Sequence, residues 1–294
     1  INKRGLEFIA IPTTAGTGAE TEITAMVTYL KESIDYIQHH EDTQSQTLAI
    51  ELYKYRGGLA ALTSMWIHQP MWIDFNTSFD PTKPYMTQTF EKPRDYVPEP
   101  LVELWSILGH ITGRKAAFMN YVDYTQHYLK DPKQGYTLDN VVHAFPMYGG
   151  IAERNFVNVH NMIESLMAPL VGALITLTDN TSVDPICEAY LTLGDCINKA
   201  NKIHLEMMTD SKPEDYPKLR IFIRGIRSNV GTLFPEKGLH YKNGPKYNLP
   251  EYDSPPGETG NMTAILSSVD RAVGAFDKYA KHSLSESQKV FDYH

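Results

Sequence analysis

A chain of 294 residues, 42% hydrophobic and 21% charged, is large enough to bury an extensive core and to divide it between two domains. Its net charge of -8, from 27 Lys and Arg against 35 Asp and Glu, argues against nucleic acid as a main partner. The two cysteines, Cys187 and Cys196, share one helical pattern, so a disulfide framework is not expected and a reducing cytoplasm is the default compartment. No apolar run reaches about 18 residues and no signal-peptide pattern opens the chain, so neither a membrane span nor export is expected.

The first motif is "FIAIPTTAGTGAETE", residues 8 to 22, which resembles the nucleotide-binding turn of the iron-dependent alcohol dehydrogenases. A phosphate cradle needs a strand before it, a helix after it and a nucleotide fold around both, and only seven residues precede this stretch. The metal of those dehydrogenases needs an aspartate and several histidines on neighbouring helices. The nearest candidate here, Asp123 with His127, has no second histidine beside it. The favoured reading is an entry loop at Gly16 and Gly18, with Thr21 or Thr24 capping a helix through Val27, Leu30, Ile34 and Ile37.

Helical periodicity continues through "SQTLAIELYKYRGGLAALTSMWI", residues 45 to 67. Residues 76 to 100 carry five prolines and little periodicity, which predicts a long loop and a domain boundary near residue 98. Helices are expected again in "PLVELWSILGHITG", "RKAAFMNYVDYTQHYL" and "TLDNVVHAFPMY". The segment "ERNFVNVHNMIESLMAPLVGALITL" sets Phe156, Val159, Ile163, Leu166, Leu170 and Leu174 on one side of a long helix. Further helices are expected in "DPICEAYLTLGDCINKANKIHLEMM", in "YPKLRIFIRGIR" and, after a Pro/Gly-rich loop over 242 to 260, in "NMTAILSSVDRAVGAFDKYAKH". Strand alternation is nearly absent. The expected fold is all-α, with a small N-terminal helical domain over 1–98 and a larger helical domain over 99–294.

Three places could carry chemistry. His160 lies four positions after Phe156 and three before Ile163, so its ring shares the apolar face of the long helix. It reads either as a buried histidine bonded to a neighbouring carbonyl or as a contact to haem or substrate. Arg220 is flanked by Leu219 and Ile221. With Arg224 and Arg227 it forms a basic stripe, either a solvated face or, at Arg220, a bidentate carboxylate anchor. In "SPPGETGNM", Gly257, Thr259 and Gly260 precede a helix, either as loop and cap or as a cradle of backbone N–H groups for a carboxylate. There is no Gly-x-Ser-x-Gly elbow, Walker loop, His-Glu-x-x-His pair or Cys-x-x-Cys.

In order, "SQTLAIELYKYRGGLAALTSMW", "AAFMNYVDY" with "KDPKQGYTLDNV", "ERNFVNVHNMIES", "KLRIFIRG" with "GLHYKN", and "PPGETGNMTAILSSVDRAVGA" resemble the indoleamine 2,3-dioxygenase family, related to the tryptophan 2,3-dioxygenases. The resemblance runs from about residue 45 to residue 276 and implies a helical enzyme that binds haem b and uses its iron and O2 to open the indole ring of tryptophan. It implies that Tyr121 walls the indole pocket and that Phe156 packs on the indole over the distal haem face. His160 stands where mammalian members carry serine, and resembles the distal histidine that hydrogen-bonds the indole N–H in the tryptophan 2,3-dioxygenases. Arg220 matches the arginine that binds the substrate carboxylate. Thr259, beside Gly257, matches the hydroxyl residue of the loop closing over substrate and haem propionate, and Asp270 an aspartate of the next helix. The family's iron-ligating histidine falls beyond His294, and neither His282 nor His294 can be equated with it: either this sequence is part of a longer chain, the favoured reading, or another histidine binds the iron, or haem is not held. The alternative reading is a haem-free or non-catalytic helical protein of the same fold that binds an indole or a partner.

Overall fold

The computed structural model describes residue 28 and residues 46–84, 87–114, 117–179, 182–210, 212, 214–226, 234–255 and 269. The chain is mostly helical. Its described elements are α1 (Gln46–Ser78), β1 (Tyr96–Val97), α2 (Glu99–Thr112), α3 (Tyr121–Tyr124), β2 (His127–Leu129), β3 (Val141–His143), α4 (Ile151–Asp179), α5 (Val183–Asp210), α6 (Tyr216–Phe222), β4 (Leu239–Tyr241) and β5 (Tyr252–Asp253). They fall into two compact units. Unit one comprises residues 1–126, 145–149 and 213–258, and unit two residues 127–144, 150–212 and 259–294. The expected entry loop at Gly16 and Gly18, the helix after it apart from Thr28, and the last helix apart from Val269 lie outside the described residues.

Unit one is organised around α1. From Leu59 to His68 nearly every side chain is buried, so this helix is a central rod with no solvent face over three turns. Two adjacent glycines make room on it. A Cβ at Gly57 would meet the Gln126 side chain, and one at Gly58 would sit 3.3 Å from the Phe145 ring. The helix runs eleven residues beyond the expected end at Ile67, straight through Pro70. Proline has no N–H for the carbonyl four residues back, and that carbonyl belongs to Trp66. Arg94 repairs the defect: its Nη1 donates to the Trp66 carbonyl and its Nη2 to Gln69 Oε1 at 2.8 Å. Its backbone N–H donates to the Ile67 carbonyl at 2.8 Å, and its guanidinium lies 4.1 Å from the centre of the Trp66 ring. The proline-rich connection over 79–95 thus packs back on α1.

Where sequence periodicity predicts helix over 114–129, the structure has one helical turn, α3, and then a strand. Asn120 ends the possibility of a long helix by starting a short one: its side chain accepts from Asp123 N–H at 3.0 Å, and Asp123 Oδ2 accepts from Asn120 N–H at 3.3 Å. The helix expected in "TLDNVVHAFPMY" is likewise replaced by β3. β2 pairs antiparallel with β3, His127 opposite His143, within unit two. Asn140 shapes the connection between them, accepting from Asp131 N–H and donating to the Asp131 and Gly135 carbonyls. In unit one, β4 pairs parallel with β1 and antiparallel with β5. Gly238 feeds β4 with φ +86°, and a Cβ there would lie 2.2 Å from the Asp253 carbonyl, so only glycine fits this turn.

In unit two, α4 and α5 are joined by a short connection and pack as a hairpin. Met167 and Leu170 of α4 meet Leu193, Cys196 and Ala200 of α5, with Val269 completing the cluster and Ile163, Leu174 and Ile197 packed at its edge. The expected face Phe156–Val159–Ile163–Leu170–Leu174 is the one α4 turns inward, with Leu166 half-buried beside it. The stretch Ile151–Leu177 has the length and apolar composition of a membrane-crossing helix, a test that a core helix also passes. Its first turns hold Glu153, Asn155, Asn158 and Asn161 buried. Asn158 donates to the Leu138 and Val141 carbonyls at 2.9 and 2.8 Å, fastening the hairpin connection to the helix.

Arg94→Leu should destabilise the protein by about 1–3 kcal/mol in urea unfolding, because the Trp66 carbonyl loses its donor in the core. In a Pro70→Ala background the helix supplies its own N–H, and the loss should shrink to the ring-stacking contribution. An unchanged loss in that background would mean that the guanidinium is not repairing the proline.

Candidate functional site

Tyr121 and Arg220 belong to unit one, and Phe156 and His160 to unit two. Gly257, Thr259, Asp270, Arg227, His282 and His294 lie outside the described residues.

Tyr121 is the first residue of α3 and is buried. Its position is set by charge inside the protein. Asp123, two residues on, is 1% exposed and its Oδ1 lies 3.3 Å from Arg56 Nε and 3.0 Å from Arg114 Nη1. Arg56, in the middle of α1, is fully buried. It also donates from Nη1 to the Arg114 carbonyl at 3.1 Å and lies 4.8 Å from the centre of the Trp105 ring. Trp105 in turn donates from its indole N–H to Thr63 Oγ1 at 3.0 Å. Burial pushes the Asp123 carboxyl above its usual range while Arg56 and Arg114 pull it back. Burial likewise lowers Arg56 from its usual range, against the pull of Asp123. The carboxylate is therefore committed to two guanidiniums, while His127 Nε2 lies 3.1 Å from the Tyr136 hydroxyl.

Arg220 sits in the last turn of α6, half-buried, between the fully buried Leu219 and Ile221. Phe222 anchors the helix against α1 through its ring, 5.2 Å from that of Trp72 and stacked at 6.2 Å with that of Tyr148. The expected helix over "YPKLRIFIRGIR" ends at Phe222, so Arg224 is on the following loop and not on a continuous helical stripe. Arg224 is half-buried, and its charge contributes to lowering the proton affinity of His68.

Phe156 and His160 occupy one face of α4 a turn apart, with ring centroids 4.1 Å apart and planes inclined by 35°. His160 Nδ1 lies 2.6 Å from the Phe156 carbonyl oxygen. A carbonyl only accepts, so Nδ1 carries the proton and Nε2 bears the ring's lone pair. Burial lowers the imidazole below its ordinary value, opposed by the Phe156 carbonyl and reinforced by His204. The ring is thus a neutral base of fixed tautomer beside a phenyl face, suited to receiving a hydrogen bond from a flat N–H donor. The reading of His160 as a histidine bonded to a neighbouring carbonyl and its reading as a substrate contact are compatible, since the first determines which nitrogen serves the second.

Among the described residues no group of three or more His, Cys, Asp or Glu side chains could hold a metal ion. Sequence reasoning overlooked Arg56, Ser64, His68 and the role of Asp123. The available signal was Arg56, Thr63, Ser64 and His68, polar residues set within and beside the apolar stretch from Leu59 to Ile67. No protein-family model and no curated protein sequence matches the chain.

Two measurements follow from these charges. Asp123→Asn leaves Arg56 without its counter-charge and should cost about 3–5 kcal/mol in urea unfolding, whereas Arg56→Leu with Asp123→Leu should lose less than the sum of the single changes. In an NMR pH titration, the His160 ring, assigned by comparison with His160→Gln, should titrate below 6.5. The folded value is depressed, so its contribution to stability is fully present above pH 6.5 and is lost as pH falls through the folded midpoint. A midpoint at or above 6.5 would mean a solvated ring.

Proposed function

We propose that the chain is the helical scaffold of a haem-dependent dioxygenase that inserts O2 into the indole ring of tryptophan or a related indole, giving an N-formylkynurenine-type product. The observation that supports this reading best is the Phe156–His160 pair: a buried phenyl ring beside a neutral imidazole whose proton is committed to its own helix. An indole has one N–H and an extended flat face, and this pair offers an acceptor and an apolar ring in matching proximity. The order of motifs along the chain supports the same substrate class, with the small N-terminal domain through residue 98 and the large helical haem domain over 99–294 as the implied organisation.

Haem b, when bound, supplies the activation of O2. The acceptor chemistry of His160 fits the distal role beside such a group. No described residue is assigned to the iron. The chain's own residues bind and orient. The resemblance gives Tyr121 and Phe156 the indole ring to confine, His160 the indole N–H to accept, and Arg220 the carboxylate to hold through two parallel N–H donors. Gly257 and Thr259 belong to the loop that would close on the substrate and a haem propionate. Each such hydrogen bond, with water excluded, contributes about 1–3 kcal/mol.

In the full-length protein reconstituted with haem, the Soret band should shift as L-tryptophan is added, giving an affinity. His160→Ala should weaken tryptophan binding by about 1 kcal/mol more, roughly fivefold, than it weakens 1-methyltryptophan, which has no N–H to give. The absence of a Soret band above that of free haem would remove the haem reading and favour a haem-free indole-binding protein. Equal losses for the two ligands would leave His160 as a packing residue.

A further inference from the structure

We propose that Ser64 and His68 of α1 are positioning residues for the carboxylate site at Arg220: they fasten the end of the helix that carries this arginine. The proposal rests on reading Arg220 as the carboxylate anchor.

The last carbonyls of a helix have no partner within it, and in a helix of seven residues that is most of them. The Phe222 carbonyl, two residues past Arg220, receives the Ser64 hydroxyl proton at 2.5 Å. Ser64 is fully buried, so no water competes for that carbonyl from the α1 side. A serine hydroxyl has one proton, and its direction must be chosen. His68, one turn further along α1 and also fully buried, supplies the choice. Its Nδ1 lies 2.9 Å from the Ser64 carbonyl and 3.3 Å from Ser64 Oγ. The carbonyl can only accept, so the proton is on Nδ1. That N–H faces Oγ as a second acceptor and leaves the hydroxyl to donate toward Phe222. The ring is held in turn by Phe234, edge-on with centroids 6.2 Å apart. The Ser64 bond reaches from the central helix of unit one to a residue 158 positions away and so serves the end of α6, while the His68 bonds lie within α1 and orient the hydroxyl. The arginine fork needs its backbone fixed to present two donors to one carboxylate, and the segment beyond Phe222 is loop.

The test uses the haem-loaded protein and two ligands, L-tryptophan and tryptamine, which lacks the carboxylate. Arg220→Lys serves as the reference. In Ser64→Ala the tryptophan affinity should fall about five- to tenfold while tryptamine stays within about twofold. Ser64→Cys, close in size and a weaker donor, should fall between, and it keeps the comparison available should the alanine variant fold poorly. His68→Phe, which keeps a ring but removes the N–H, should shift the tryptophan-to-tryptamine ratio in the same direction. A general loosening of the unit would weaken both ligands alike. If Arg220→Lys separates the two ligands and the Ser64 variants do not, the tether has no positioning role. If Arg220→Lys itself fails to separate them, the carboxylate reading falls and this proposal with it.

Discussion

One buried carboxylate constrains much of unit one. Arg56 is fully enclosed in the middle of α1, and an unpaired guanidinium there would be prohibitively expensive to bury. Asp123 must therefore come to it, which fixes α3 on α1 and brings Arg114, just beyond the end of α2, into the same cluster. Tyr121 is buried as a consequence, since it begins the turn that Asp123 closes with its own carboxylate. Arg56 also lies against Trp105, whose indole N–H is spent on Thr63, so α2 is held to α1 by the same group of side chains. The charge is a locating device: its partners are wrong in every arrangement but one.

Elsewhere the chain repeats a simpler tactic, giving a long-range donor to a backbone carbonyl that regular structure leaves unpaired. Arg94 serves Trp66 behind a proline, Ser64 serves Phe222 at a helix end, and Asn158 serves two carbonyls of the β2–β3 connection. His160 differs only in that its donor is spent locally, on the carbonyl of its own helix. That local bond has a chemical result: it removes the choice of tautomer and turns the other nitrogen into a base that stays neutral because it is buried.

The long helices were legible in the sequence because their apolar periodicity extends over many turns, and the buried face of α4 was read residue by residue from Phe156 to Leu174. The end of α1 was not legible, since the donor that lets it pass Pro70 sits in a proline-rich segment with no pattern of its own. Residues 114–129 have helical composition, yet the Asn120–Asp123 capping box restarts the chain there, and strands of three residues are too short for alternation to register. At the candidate site the proximity of Phe156 and His160 followed from helical spacing, and a bond from His160 to a nearby carbonyl was one of the readings open to it. The partners of Ser64 and Arg56 lie 158 and 58 residues away in sequence, and spacing rules carry no information at that range. Thr259 and Gly257 lie outside the described residues, so their roles stay with the resemblance.

The order of segments also bears on how the chain assembles during synthesis. Unit one draws on three stretches, 1–126, 145–149 and 213–258, while α4 and α5 of unit two follow one another directly. The helical hairpin can close as soon as it leaves the ribosome, because its contacts are local. β1 has to wait: its parallel neighbour β4 is more than a hundred residues downstream, and β5 later still. Until then Val97 and the apolar sides of α1 and α2 have no cover from that quarter. Loop-closure entropy must be met before the pairing returns anything, which makes this the slow step and the interval in which nascent chains are most exposed to association with one another.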